Sequence, residues 1–229
     1  MQLFKKMLEA FPEIGISPEN IISFETNIWV LYGKLIKEFG QDWYTQGIDF
    51  LTFLQNPSIG MNLNGKAFSD IYLVFDYERQ DSNFSDIGLE HMMSFFNNST
   101  ENGLLFINYP MVESFYHLKS LPDANYDERF ASMDELRRKA YKQRVQNEKY
   151  AKNYQLCASN RKTCNIVIHQ NIEKALYLTH SLNNNSPFNQ SAILESELNW
   201  IASESKVPVL CTCCFFIPEY QPALIESDD

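Results

Sequence analysis

Ile71-Tyr72-Leu73-Val74-Phe75 runs directly into Asp76-Tyr77-Glu78-Arg79-Gln80-Asp81. Five consecutive β-branched, aromatic and aliphatic residues predict a strand buried on both faces of a parallel sheet. A second apolar run, Leu104-Leu105-Phe106-Ile107, leads into Asn108-Tyr109-Pro110-Met111-Val112-Glu113. Between the two, residues 84–96 read as a helix and 97–103 as a turn. Strand, helix and strand in this rhythm place the chain in the α/β class. In open α/β sheets ligands bind outside the carboxyl ends of the strands. Both acidic segments fall there.

Upstream, Leu3, Phe4, Met7 and Leu8 lie at helical spacing and predict an amphipathic helix over the first ten residues. Pro12, Gly15 and Pro18 end it. Ile21–Phe24 is short, β-branched and aromatic, so a buried strand is expected. Thr26 or Asn27 can cap a helix running through Ile28, Leu31 and Leu35 to Gly40. Gly47–Leu54 fits either a strand or a short helix, and Asn56–Gly65 reads as loop. After Pro122 the texture changes. Residues 133–154 read as one long charged helix, 166–182 and 191–203 as two more, and Val207–Ile217 as a buried strand. The expected organisation is an α/β domain over residues 1–122, then a helical region over 123–229 with a final buried strand.

The 229 residues carry 19 Lys plus Arg against 29 Asp plus Glu, a net charge of −10 with His neutral. That balance argues against a protein that coats nucleic acid through bulk charge, but not against a nuclease whose basic groove lies in one segment or on a partner. Basic residues concentrate at Arg137, Arg138, Lys139, Lys142, Arg144, Lys149 and Lys152, interleaved with Tyr141 and Tyr150. They form either a phosphate-facing surface or a solvated helix balanced by Glu135 and Glu148. No apolar run approaches the ~18 residues of a membrane span. The N-terminus lacks the apolar core of a secretory signal, so a cytoplasmic chain with no membrane partner is expected. Its five cysteines are then expected as free thiols. Cys211, Cys213 and Cys214 sit inside an expected strand, where thiols serve as small hydrophobes more readily than as zinc ligands. Gly60-Met-Asn-Leu-Asn-Gly65-Lys66-Ala67 has most of a phosphate-binding loop, but Ala67 lacks the hydroxyl that would hold a metal ion, so no nucleotide is expected there.

Asp76 and Glu78 carry the chemistry. Residues two apart in an extended chain share one face, so these carboxylates could converge on one hard cation, Mg2+ or Mn2+. An acidic pair after a strand also serves as a helix cap or a solvated loop. Glu113 points towards the same edge if the two strands are neighbours, although a glutamate in a first helical turn is ordinary in itself.

Leu73-Val-Phe-Asp76-Tyr-Glu78 and Asn108-Tyr-Pro110-Met-Val-Glu113-Ser-Phe-Tyr-His117-Leu118 together resemble, in order and spacing, the motifs of the Toprim fold of topoisomerases, primases and OLD-type nucleases. Within it they look most like the RloB-like and abortive-infection proteins of bacterial phage defence. One extra residue between Asn108 and Pro110 departs from the pattern. The resemblance implies a Toprim-like, mainly parallel sheet flanked by helices, with Mg2+-dependent cleavage of DNA or RNA phosphodiesters. It implies Asp76 and Glu78 on the metal, Glu113 as an accessory carboxylate, and Arg137, Arg138, Lys142 and Arg144 against the nucleic-acid backbone. Such proteins also carry a catalytic glutamate, usually followed by Gly, after their first strand. Either Glu25 fills that role, with Thr26 in place of Gly, or the residue lies upstream of Met1. In the second case the alternative is a catalytically degenerate module that binds a partner protein such as an ATPase.

Overall fold

A computed structural model describes residues 2–24, 27–57, 59, 61, 63, 68–148, 154–182 and 186–225. Glu25, Thr26, Gly60, Gly65, Lys66, Ala67, Lys149, Tyr150 and Lys152 lie outside the described residues.

The opening helix, α1 (Gln2–Ala10), buries Leu3, Met7 and Leu8, as its spacing predicts. Ile21–Phe24 forms no strand. Ile22 is exposed, while Ile21 and Phe24 lean on the core and the Phe24 ring lies 6.3 Å from Phe75. Its composition reflects packing against the sheet, not membership in it. Asn27 caps α2 (Ile28–Phe39) by accepting from the backbone N–H of Trp29 and Val30. The ambiguous stretch resolves as helix α3 (Phe50–Gln55), capped by Asp49.

β1 (Tyr72–Asp76) runs parallel to β3 (Gly103–Tyr109), with Leu73 opposite Leu105 and Asp76 opposite Asn108. α4 (Asp86–Phe95) connects them. The two-residue β2 (Asn97–Asn98) lies antiparallel to β3. The sheet is therefore mixed, where a mainly parallel one was expected, because β6 (Leu210–Cys211) returns from the far end of the chain and also pairs antiparallel with β3. β3 is the central strand, and Leu105, Phe106, Ile107 and Tyr109 are fully buried. β1 pairs only with β3 among the described residues, and only Leu73 in it is buried. The rest of its apolar run is half-buried against the core, with Phe75 on the Phe24 ring and Tyr72 on Phe106 and Phe216.

The register of β1 on β3 depends on Gly103. Its φ is 114°, and a Cβ there would collide with Leu73 Cδ1 and stand 3.2 Å from Ile71 Cγ2. Gly103→Ala is expected to cost about 2 kcal/mol or more, since both backbone and neighbours resist it. Denaturant unfolding would read this; unchanged stability would show that β1 yields freely at that point.

Residues 133–154 do not form one helix. The chain makes α5 (Met133–Arg137), turns through Lys139 at φ 56°, and makes α6 (Tyr141–Asn147) and α7 (Tyr154–Cys157). Leu136, Tyr141 and Val145 are all buried. Positions 136 and 141 would lie about 140° apart around an unbroken helix, so the break is what lets both face the core. The other two expected helices are present as α8 (Arg161–Thr179), with an Asn160/Thr163 capping box, and α9 (Gln190–Glu204). Val207–Ile217 is buried throughout, but only its start is strand. β5 (Lys206–Pro208) pairs with β4 (Phe130–Ser132), β6 follows, and the chain then coils through Thr212–Phe215 into α10 (Phe216–Tyr220). Here side chains replace the ladder: Thr212 Oγ1 donates to the Ile107 carbonyl at 2.7 Å. Among the described residues no helix is long and apolar enough to cross a membrane.

A polar staple fastens the loop after Pro122 to α8. Lys174, fully buried, donates to the carbonyls of Tyr126 (2.9 Å) and Arg129 (2.7 Å). Gln170 donates to the Asp123 carbonyl at 2.7 Å, Asp123 pairs with Arg129, and Tyr126 donates to Asn171 at 2.8 Å. This staple fixes where β4, α5 and α6 begin.

Candidate functional site

Asp76 closes β1 at the rim of the sheet. Its Oδ1 accepts from the Val112 backbone N–H at 2.7 Å and from Asn108 Nδ2 at 3.4 Å. The first of these bonds matters for geometry. Val112 opens the short 3-10 helix Val112–Tyr116, so Asp76 grips the turn that carries Glu113. Glu113 is buried, and its carboxylate acts on Asp76. Burial first, and Glu113 second, push the Asp76 carboxyl up to about 7, against the pull of its two hydrogen bonds. The Val112 bond thus sets Asp76 against the turn that carries Glu113.

At Glu78 the backbone changes. The extended backbone ends at Tyr77, whose N–H still donates to the Asn108 carbonyl at 3.1 Å and whose side chain is buried. Glu78 then adopts φ 48°, which breaks the alternation on which a shared face depends. Its Oε2 accepts from Gln80 Nε2 at 2.6 Å, and burial followed by Asp81 raises its carboxyl, with Lys139 pulling the other way. Glu78 is a weaker neighbour of Asp76 than Glu113 is. Asp81 is committed to structure: it accepts from Asn27 Nδ2 at 2.7 Å and from the Asn83 N–H at 2.8 Å. Glu25 lies outside the described residues.

The basic cluster divides. Lys142 reaches the acidic rim, its Nζ 2.8 Å from Glu113 Oε1, and Glu113 then Asp76 hold its ammonium above the usual lysine range. Arg138 pairs with Asp134 at 3.1 Å, Arg144 pairs with Glu135 at 2.7 Å and donates to the Phe130 carbonyl at 2.8 Å, and Arg137 Nε donates to the Met133 carbonyl at 3.2 Å. Each of the four thus has an acceptor within the chain, and only Lys142 is brought to the carboxylates.

Two residues matter more than their sequence context suggests. Asn108 is buried and joins the rim to the cysteine segment: its Oδ1 accepts from the Cys213 N–H at 3.2 Å and from Cys211 Sγ at 3.4 Å, while its amide faces Asp76. An asparagine ending an apolar strand is the one local hint. His117 is also fully buried. Its Nδ1 lies 3.0 Å from Tyr141 Oη, and burial pushes the imidazole down to about 2, so it is a neutral anchor for α6. The five cysteines are free and buried, as expected, with Cys211 and Cys213 Sγ 3.3 Å apart. Among the described residues no group of three or more His, Cys, Asp or Glu is placed to hold a metal ion.

No family model matches the chain. No curated protein and no solved structure matches it either.

Proposed function

We propose that the protein is a Toprim-like, divalent-metal-dependent nuclease whose ion sits on Asp76 and Glu113. The observation that supports this is the Asp76 Oδ1 bond to the Val112 N–H at 2.7 Å, which holds Asp76 against the turn carrying Glu113, whose charge helps push the Asp76 carboxyl up. A divalent cation relieves that repulsion better than a proton does, because it serves both groups at once. The donors suit the ion. Mg2+ and Mn2+ favour carboxylate oxygen, and Mg2+ commonly takes one or two protein carboxylates, leaving its other positions to water and phosphate. Glu78, on its left-handed turn, flanks the rim.

Within this mechanism Val112 and Asn108 orient the Asp76 carboxylate, and the 3-10 turn presents Glu113. When bound, the ion would polarise a phosphodiester and lower the pKa of an attacking water. Glu25 stays the resemblance's candidate for acid/base work, and DNA or RNA its candidate substrate, in a phage-defence setting. A second function is favoured by one contact. Lys142 already supplies Glu113 with a positive charge, which suits a degenerate module that binds a partner protein, such as an ATPase, and cleaves nothing.

Incubation of plasmid DNA and of single-stranded RNA with the protein and Mg2+ or Mn2+ separates the two. Cleavage is expected, falling about a hundredfold or more in Asp76→Asn. No cleavage with either ion, or full cleavage by Asp76→Asn, would remove the nuclease and leave the binding module.

A further inference from the structure

We infer that Lys142 is a resident counter-ion of the acidic rim, holding the cation position beside Glu113 until a divalent ion displaces it. The inference rests on the metal-binding proposal above and concerns how that site is kept when no metal is bound.

Three features point to exchange and not to a permanent ion pair. Lys142 Nζ is 2.8 Å from Glu113 Oε1, yet the Lys142 side chain is 62% exposed while that of Glu113 is 6% exposed. The lysine therefore reaches the buried carboxylate from solvent, and it can leave without opening a cavity or unpacking the core. Its backbone is held independently of the pair. Tyr141, the preceding residue and the first of α6, is fully buried and bonded to His117, so the anchor stays fixed while the ammonium moves. Charge balance completes the case. One ammonium faces two carboxylates, since Asp76 also acts on Lys142. A monovalent partner leaves that rim net negative, whereas a divalent ion neutralises both acids.

The exchange gives the lysine two states. Seated on Glu113, it offsets a buried negative charge that would otherwise stand alone. Displaced, its ammonium is free in solvent at the mouth of the site, available to an incoming phosphate as a point charge. Lys142 could then contact a nucleic-acid backbone only once metal is present, which ties substrate contact to metal loading.

Mn2+ titration of the full chain at pH 8, followed by calorimetry and by the electron paramagnetic resonance of free Mn2+, tests this. Lys142→Gln is expected to bind Mn2+ about tenfold more tightly than the wild type, a coupling of ordinary size between two ligands of one site. Lys142→Arg, which keeps the positive charge, is expected to stay near the wild-type affinity. Lys142→Met serves in place of the glutamine variant should the latter fold poorly. Unchanged or weaker Mn2+ binding in the neutral variant, with wild-type binding lost in Asp76→Asn, would overturn the exchange and leave the metal site standing. No saturable Mn2+ binding in either the wild type or Lys142→Gln would overturn both.

Discussion

At pH 8 Asp76→Asn is expected to unfold at a higher temperature than the wild type, and to lose that advantage towards pH 4. Asp76 titrates near 7 in the fold, against 3.8 for an ordinary solvent-exposed aspartate. A carboxyl whose folded pKa is raised binds more protons folded than unfolded between those values, so its contribution to stability falls as pH rises from 3.8 through 7 and is least favourable above 7. Three units correspond to about 4 kcal/mol at most. Asp76 is not fully covered, so about 2 kcal/mol is the sounder figure, or roughly 4–8 °C for a chain of this size. Asparagine keeps an oxygen for the Val112 N–H and removes the repulsion with Glu113. His117 works in the opposite sense. Its folded pKa is depressed to about 2, so its contribution is full above 6.5 and declines as pH falls below that. Between pH 6.5 and 5 His117 is opposed in the wild type by Asp76 and by the buried Glu197, whose carboxyl is raised as well. Asp76→Asn removes one of these two opposing carboxyls, so its stability relative to the wild type should fall by at most about 1.4 kcal/mol per pH unit as pH drops through that window. Calorimetry from pH 4 to 8 checks both limbs. Equal or lower stability of Asp76→Asn at pH 8 would show that the rim carboxylates do not strain the fold.

The other large effect belongs to Lys174. Lys174→Met should destabilise the protein by about 3–5 kcal/mol, enough to compromise folding at physiological temperature. The ammonium serves two buried carbonyls, Tyr126 and Arg129, and lies 4.8 Å and 5.3 Å from the ring centres of Tyr126 and Phe130. A thioether satisfies neither carbonyl. Burial lowers the lysine to about 7, while Glu197, Asp127 and Asp123 hold it up. Glu197 is its fully buried acidic neighbour. Among the described residues neither Glu197 oxygen has a hydrogen-bond partner, and burial raises its carboxyl well above the usual range, with Lys174 opposing. Glu197→Gln removes the ionisable group from this buried position and should be neutral or mildly stabilising at pH 8. Combining the two substitutions should cost less than their sum, because Lys174→Met alone also strips Glu197 of its positive neighbour. Denaturant unfolding of the three variants measures the coupling. A cost below about 1 kcal/mol for Lys174→Met would show that the loop after Pro122 is held by Asp123, Arg129 and Gln170 without it. Because that loop sets the start of β4 and α5–α6, its loosening should also disturb Lys142.

Elements whose cause is local were legible without a structure. α1, α2, α4, α8 and α9 follow from apolar spacing and from caps such as Asn27, and β1 and β3 from unbroken apolar runs. Errors arose where a residue's partner lies far along the chain. Ile21–Phe24 has a strand's composition but no ladder, since rings such as Phe24 can cover a sheet without joining it. The charged stretch from Met133 reads as one helix because charge has no fixed period, whereas the break at Lys139 is imposed by Leu136 and Tyr141 both needing the core.

The candidate site divides along the same line. Asp76, Glu78 and Glu113 can be picked from sequence because each follows a strand where α/β sheets bind ligands. Their grouping cannot. The pairing of Asp76 with Asn108 and the Val112 N–H bond set the turn carrying Glu113 beside Asp76, while Glu78 follows on a left-handed turn and acts on Asp76 more weakly. Lys142 belongs to the rim only because Tyr141 packs on His117 and swings α6 towards it. Sequence alone settled the α/β class, the two apolar strands and the acidic residues at their ends, because propensity and burial act over a few neighbours. Tertiary structure alone decided the mixed sheet and which charges meet, since electrostatic energy depends on separation in space, and strand register and helix breaks set that separation.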